Sequence, residues 1–126
     1  MLATLELKNL IDDKEFSEIN EVYVNNLPKE IQENTDKTIV LLRESDAFLG
    51  MFGNGRFHSK SNQIEVMIFY KLDLDFDPDD FETQLMQWLV SNHYKITNIR
   101  EHSIDPDTYQ LTGVFYVERE QILKGE

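Results

Sequence analysis

The sequence predicts an α+β fold: a single domain with one mixed, mostly antiparallel sheet of about four to five strands, flanked by two helices. Three observations support this prediction. Apolar residues occupy every second position from residue 64 to residue 76, as in a strand with one buried face. The following segment has the start signal and the apolar stripe of a helix. A turn signal at residues 105–108 then separates two alternating segments, which is the pattern of a hairpin.

The N-terminal third of the chain predicts one helix and two strands. Leucines recur at helical spacing over residues 2–11 and predict the first helix. Residues 21–25 are β-branched and aromatic and are followed by a turn signal, so they predict a short strand. Residues 38–43 form a continuous apolar run of strand length, which predicts a strand that is buried on both faces.

Residues 45–61 predict a long loop. They contain three of the five glycines beside four large apolar side chains. A loop of this length without secondary structure is uncommon in a compact domain, and such loops are usually functional or disordered. Because the apolar side chains argue against simple disorder, we expect another surface to cover them. These side chains are Phe48, Met51, Phe52 and Phe57.

The C-terminal half predicts a capped helix followed by the hairpin. Asp77 fits the N-cap position, and Pro78 fits the first helical position. Asn92 fits a left-handed cap at the other end of this helix. Residues 96–104 and 109–117 alternate as the two strands of the hairpin. The whole chain, residues 1–126, is therefore expected to form one domain without an internal repeat.

Composition excludes several classes of protein. The chain has 24 acidic residues against 12 Lys and Arg, a net charge of −12, so DNA and anionic membranes would repel it. It has no Cys, which excludes disulfide scaffolds, thiolate nucleophiles and Cys-ligated metals. The longest apolar run is far shorter than a bilayer span, and acidic residues near the start argue against a signal peptide. We expect a soluble protein that is made and kept inside the cell.

No motif predicts a catalytic, cofactor or metal site. The acidic run at residues 73–80 matches the first EF-hand positions, but Pro78 replaces the required Gly and Gln84 the bidentate Glu. The glycines at residues 50–55 reverse the order of the dinucleotide fingerprint, and no helix is expected after them. The three histidines, His58, His93 and His102, are isolated in the sequence. We therefore expect a protein that is not an enzyme and that needs no cofactor.

Four segments resemble a family of small siphophage proteins from phages and prophages of Gram-positive bacteria. The family looks like the tail terminator group, whose members are also called minor tail or tail completion proteins. The resemblance extends over about residues 5–118. It is carried by Asn-Leu-Pro-Lys-Glu at residues 26–30, Thr-Ile-Val-Leu-Leu-Arg-Glu-Ser at 38–45, Val-Met-Ile-Phe-Tyr-Lys-Leu-Asp-Leu-Asp-Phe-Asp-Pro at 66–78 and Ile-Asp-Pro-Asp-Thr-Tyr-Gln-Leu at 104–111.

The resemblance implies a structural role at the junction of phage head and tail. Such proteins cap the head-proximal end of the tail tube as a hexameric ring, stop tube polymerisation and present a surface to head-completion proteins. The implied partners are further copies of the chain, the major tail tube protein and a head-completion or connector protein. DNA would pass through the ring without sequence-specific binding, and no membrane is involved. The implied location is the host cytoplasm during assembly and then the virion tail.

The resemblance transfers no catalytic or ligand-binding residue. From the apolar character of residues 45–61, we expect this segment to contact an adjacent subunit or the tail tube. The candidate contact residues are Phe48, Met51, Phe52, Arg56 and Phe57.

Two alternative functions stay open at this point. One is another head–tail connector component of the same phage module. The other is an acidic inhibitor that mimics DNA towards a basic host enzyme. A closed ring would favour a terminator or connector, whereas a stable monomer that binds a basic host protein would favour the mimic. An enzyme is a more distant alternative, and it would need a compact carboxylate or histidine cluster in a pocket.

Overall fold

The computed structural model describes residues 1–123 and shows a mixed six-stranded sheet with three helices in that range. The helices are α1 (Ala3–Lys14), α2 (Lys29–Gln32) and α3 (Pro78–Ser91). The strands are β1 (Glu21–Val24), β2 (Ile39–Gly50), β3 (Ser59–Phe69), β4 (Lys95–Ile99), β5 (Ser103–Ile104) and β6 (Leu111–Ile122).

The predicted α+β class with one mixed sheet is confirmed. The additional helix, α2, is a single turn inside the polar segment that connects β1 to β2. The additional strand arises because the segment predicted as one strand at residues 96–104 is divided into β4 and β5. Residues 124–126, which the single-domain prediction also included, lie outside the described residues.

The sheet has the order β1-β2-β3-β6-β4, and β5 pairs with the beginning of β6. Only β1 and β2 pair in parallel, and the other pairs are antiparallel. In the centre of the sheet, Val66 of β3 lies between Leu42 of β2 and Phe115 of β6. Because side chains alternate along each strand, these three point to the same face of the sheet.

Helices α1 and α3 cover that face and complete the core. Their buried residues are Leu7 and Ile11 on α1 and Phe81, Leu85 and Leu89 on α3. The spacing of these residues places one apolar stripe on each helix, which is the reason that each helix packs on the sheet. The Trp88 indole N–H also donates a hydrogen bond of 3.0 Å to the Leu10 carbonyl, which joins the two helices.

The start of α3 confirms the capping prediction, but its end corrects it. Asp77 accepts a hydrogen bond of 2.9 Å from the Asp79 N–H, and Pro78 follows it at the first helical position. Asn92 has a φ of −107° and is not left-handed. The following residue, His93, takes the left-handed conformation instead, with a φ of 72°. Its N–H donates to the Val90 carbonyl, so the helix ends one residue later than predicted.

The first and last residues of β2 lie in different surroundings. The prediction of burial on both faces is confirmed for Ile39 to Leu42, all four of which are buried. Val40 and Leu42 belong to the core under the helices, and Ile39 and Leu41 lie on the opposite face. From Arg43 to Leu49, in contrast, every residue of β2 is exposed.

Two predicted boundaries around β3 are wrong. The long loop at residues 45–61 is mostly strand, because β2 continues to Gly50 and β3 begins at Ser59. The strand predicted to reach residue 76 ends at Phe69. Beyond Phe69 the chain leaves the sheet, and the Leu72 N–H donates a hydrogen bond of 3.0 Å to the carbonyl of Thr35.

Candidate functional site

Strands β2 and β3 form a long hairpin whose outer half extends past the helices. Paired residues run from Ile39–Phe69 at the base to Gly50–Ser59 at the outer end, with an irregularity in register between Glu44 and Asp46. A β-bulge of this kind bends a strand and increases its twist. Strand β1 pairs with β2 only as far as Leu42, so in the described chain the outer part of β2 is an edge of the sheet.

A tight turn closes this hairpin. Gly53 and Arg56 exchange two backbone hydrogen bonds, each 2.9 Å long. Between them, Asn54 and Gly55 both have positive φ, at 52° and 73°. These are the features of a two-residue type I′ turn, which matches the twist of hairpin strands. The outer end of the hairpin therefore has a defined local structure.

The dipeptide Asn54-Gly55 is a signal that the sequence analysis missed. Asn-Gly is the strongest short-range indication of a hairpin when alternating strands flank it. Here the flanking residues do not alternate, because Phe48 and Leu49 are adjacent, as are Met51 and Phe52. The prediction of a loop followed from that irregular pattern.

All five candidate contact residues lie on this outer part of the hairpin. Phe48 is on β2, opposite Ser61, and the others lie in the segment that joins β2 to β3. Arg56 is exposed and belongs to the turn. The four apolar side chains are also exposed, with Phe48 at 52%, Met51 at 56%, Phe52 at 73% and Phe57 at 41%. We call residues 47–60 the hairpin tip.

The hairpin tip differs in charge from the chain as a whole. It contains no Asp or Glu, and it carries Arg56 and Lys60. The remaining residues of the chain therefore account for all 24 carboxylates. An exposed segment that is apolar and weakly basic is unusual on a protein of net charge −12, and exposed apolar clusters commonly mark interaction sites.

A groove of about 650 Å³ lies at the opposite end of β2. Its floor is apolar and contains Ile39 of β2 and Phe69 of β3, with Leu27 and Ile31 from the segment around α2. Three carboxylates line it, those of Glu33, Asp105 and Asp107, and none of its lining residues is Lys or Arg. We call this feature the acidic groove.

Hydrogen bonds hold both walls of the acidic groove in place. On one wall, Asp105 accepts hydrogen bonds from the N–H groups of Asp107, at 2.8 Å, and Thr108, at 3.3 Å. The buried Gln110 side chain donates to the Tyr70 carbonyl at 3.1 Å and so ties this wall to the chain beyond β3. The other wall is tied to the same stretch by the Leu72–Thr35 backbone hydrogen bond. The groove is therefore formed without a ligand.

A buried carboxylate cluster lies between α3 and the sheet. Glu82 is only 4% exposed, and its Oε2 atom accepts hydrogen bonds from the Tyr70 hydroxyl and from His102 Nε2, the latter at 2.6 Å. Gly113 lies against the same carboxylate, since a Cβ atom there would come within 2.8 Å of Oε2. Burial raises the pKa of Tyr70, and the neighbouring Glu82 raises it further.

His102 is therefore not isolated, as its place in the sequence indicated, but paired with Glu82. No pattern in the sequence could reveal this contact, because the two residues lie in different elements and meet only after folding. Neither of them lines the acidic groove. Among residues 1–123, no group of three or more His, Asp or Glu side chains is arranged to hold a metal ion. With its hydrogen bonds satisfied, the cluster has the features of a structural contact between α3 and the sheet.

The fold and these surfaces define a small α+β domain with a projecting apolar hairpin and a separate acidic groove. The chain belongs to the family described as protein of unknown function (DUF806), whose model matches residues 2–122. A comparison with curated proteins returned no match. Over the described part of the chain, no helix is both long enough and apolar enough to cross a membrane.

Proposed function

We propose that this chain is a structural protein of a siphophage virion, without enzymatic activity, that acts as a tail terminator. In this role a ring of subunits caps the head-proximal end of the tail tube, stops its polymerisation and joins tail to head. The ring would form in the host cytoplasm during assembly and would remain in the virion tail. The resemblance of four sequence segments to that family suggests the role, and the hairpin tip is the observation that supports it in this molecule.

The exposed side chains of the hairpin tip favour assembly with a protein partner. Burial of one Phe side chain contributes about 1.5–3 kcal/mol to association, and the tip offers Phe48, Phe52 and Phe57 together with Met51. Because the tip extends past α1 and α3, a partner can cover it without disturbing the core. A ring multiplies this contribution, since each subunit brings the same contact.

The acidic composition is also consistent with a ring that DNA crosses. Each subunit has a net charge of −12, and carboxylates around a passage would repel the phosphates of DNA. Weak attraction would favour rapid passage of the genome. The hairpin tip, which has no carboxylate, would face protein and not DNA.

A tube-capping experiment tests the proposal. Tail tube protein is polymerised in the presence of the purified chain, and tube lengths and tube ends are measured by electron microscopy. We expect wild-type chain to shorten the tubes and to form a ring at one end. Phe52→Asp should abolish both effects. Ile99→Asp is the matched control, because Ile99 is similarly exposed but lies on β4, away from the tip.

Three results would contradict the proposal in different ways. Tubes that grow to full length with wild-type chain would reject the terminator role. Binding to a head-side connector but not to the tube would favour the connector alternative. A stable monomer that binds a basic host protein would favour the DNA-mimic alternative.

A further inference from the structure

The hairpin tip and the acidic groove are complementary in charge and in character. The groove has three carboxylates and no basic residue in its lining, and the tip has Arg56 and Lys60 and no carboxylate. Both also carry apolar surface: the floor of the groove, formed by Ile39 and Phe69, and the exposed phenylalanines of the tip. Opposite charges around an apolar centre are the typical arrangement of a protein–protein interface.

Basic residues close to the groove do not neutralise it. Lys37 lies 3.6 Å from Glu21, and Lys71 lies 3.1 Å from Asp75, so each already has a carboxylate partner outside the groove lining. The potential in the groove is therefore negative. A basic segment of a partner would be attracted to it, whereas most of this chain's own surface would be repelled.

The size and shape of the two features also agree. The groove volume of about 650 Å³ lies within the range of pockets that enclose a compact ligand. The hairpin tip narrows to a two-residue turn, so it can enter a groove that a helix or a sheet face cannot. Residues 83–100 also lack carboxylates, but they form the end of α3 and β4, which lie on the body of the domain.

The tip of one copy cannot reach the groove of the same copy. Ile39, in the floor of the groove, begins β2, and Gly50, at the base of the tip, ends it. A strand rises about 3.3 Å per residue, so these two residues are about 36 Å apart. The tip can therefore enter only the groove of another molecule.

We infer that the hairpin tip of one copy docks in the acidic groove of the next, so that subunits join head to tail. Such an interface uses two different patches, and repetition of it produces a closed ring when the rotation between subunits permits closure. The inference deepens the proposed function and rests on it for the identification of the ring. It also assigns a role to Glu33, Asp105 and Asp107, which bind the basic side chains of the neighbouring tip.

The test combines two full-length variants that each lose one half of the interface. The tip variant is Phe52→Asp, and the groove variant is Glu33→Lys with Asp107→Lys. Asp105 is kept because it holds the groove wall. A control with the same change of charge is Asp13→Lys with Asp73→Lys, two exposed residues outside the groove. Circular dichroism checks that all variants fold, and sedimentation velocity measures their mass.

Wild-type chain and the control should form species larger than a dimer as concentration rises. Each interface variant alone should remain a monomer of 14.9 kDa. An equimolar mixture of the two should form a dimer of about 30 kDa and nothing larger, because only one intact tip and one intact groove can meet. Such a dimer, formed only in the mixture, is the specific result of a head-to-tail interface.

Other results overturn the inference. A mixture that remains monomeric, a wild-type chain that is monomeric at every concentration, or a groove variant that assembles like wild type would each exclude docking of the tip in the groove. If wild type caps tubes but the mixture forms no dimer, the proposed function stands and this inference fails. If the mixture dimerises but wild type does not cap tubes, the inference stands and the terminator role fails.

Discussion

Glu82 shows how one residue can depend on contacts from three elements. It lies on α3, its carboxylate accepts hydrogen bonds from Tyr70, just beyond β3, and from His102, between β4 and β5, and Gly113 of β6 leaves room for it. A buried carboxylate without partners would be very costly, so these hydrogen bonds are necessary for its burial. Loss of one partner should consequently cost more here than at the surface.

The first prediction concerns the hydroxyl of Tyr70. Tyr70→Phe removes a donor to a buried carboxylate and should lower the free energy of unfolding by about 1.5–3 kcal/mol. Tyr116→Phe makes the same chemical change at a hydroxyl that donates to the partly exposed Glu65, and it should cost less than about 1 kcal/mol. Urea unfolding of both variants measures the difference. Equal losses would show that the buried carboxylate cluster has no special role in stability.

The second prediction concerns alkaline pH. Burial, followed by the effect of Glu82, raises the pKa of Tyr70 above its usual value of 10.0. Above about pH 10 the unfolded chain loses this proton while the folded chain keeps it, so alkali favours unfolding. Stability from this group is complete below pH 10 and should fall by about 1.4 kcal/mol per pH unit above it.

Urea unfolding one pH unit below and one above pH 10 tests this sign. The stability of wild type should fall more steeply than that of Tyr70→Phe, because the variant lacks the ionising hydroxyl. Parallel pH profiles would contradict the prediction.

The β2–β3 hairpin shows how an element can be defined by local geometry and exposed by tertiary structure. The type I′ turn at Asn54 and Gly55 closes the hairpin through two backbone hydrogen bonds. The helices cover only its base, so its outer half keeps the pairing of a sheet without a core beneath it. The stability of the tip should therefore be separable from that of the domain.

The third prediction is a local loss of order at this turn. Gly55→Ala places a Cβ atom at a φ of 73°, which costs about 1–2 kcal/mol for an L-residue. Amide hydrogen exchange at Gly53 and Arg56 should accelerate by roughly 5- to 30-fold, while the global unfolding midpoint changes little. Gly53→Ala is the control, because a Cβ there would meet only the His58 ring at 3.7 Å. Unchanged exchange in Gly55→Ala would contradict the observed turn.

The fourth prediction concerns the beginning of α3. Asp77→Ala removes the side chain that accepts a hydrogen bond from the Asp79 N–H and should destabilise the protein by about 0.5–2 kcal/mol. Asp73→Ala, at an exposed position outside the helix, should change stability by less than about 0.5 kcal/mol. Thermal unfolding of the two variants compares these effects. A result in which both variants are equally stable would show that the cap contributes nothing.

At the scale of the whole molecule, charge is distributed unevenly. The domain has a net charge of −12, yet its projecting hairpin tip has no carboxylate and its groove has no base in its lining. Attraction between tip and groove therefore competes with repulsion between the bodies of two subunits. The Debye length is about 8 Å at physiological ionic strength, so salt screens the distant repulsion more than a contact in the groove.

The fifth prediction follows from this competition. Mass measured by light scattering should increase when Mg²⁺ is added at low salt, towards the value for a ring of six 14.9 kDa chains, about 89 kDa. Phe52→Asp should remain at the mass of one chain under the same conditions. A stable dimer that never grows would contradict a head-to-tail ring, because a closed pair uses one patch twice.

Prediction from sequence succeeded where the physical cause lies within a few residues. The cap at Asp77, the apolar stripe of α3 and the buried run at the start of β2 were predicted, since periodicity and capping act locally. The hairpin was missed because its outer strands have no core to impose alternation on them. The end of β3 at Phe69 was missed because the chain turns away to bond with Thr35, a residue distant in sequence.

The sequence by itself determined the α+β class, the main helices and strands, the net charge and the absence of cysteine chemistry. Tertiary structure decided which surfaces exist. The acidic groove combines residues near 27–39 with residues near 105–110, and the Glu82–His102 contact joins α3 to the connection between β4 and β5. These features depend on sheet pairing between distant segments, which no local pattern encodes, and the same pairing carries the hairpin tip to the end of the molecule opposite the groove.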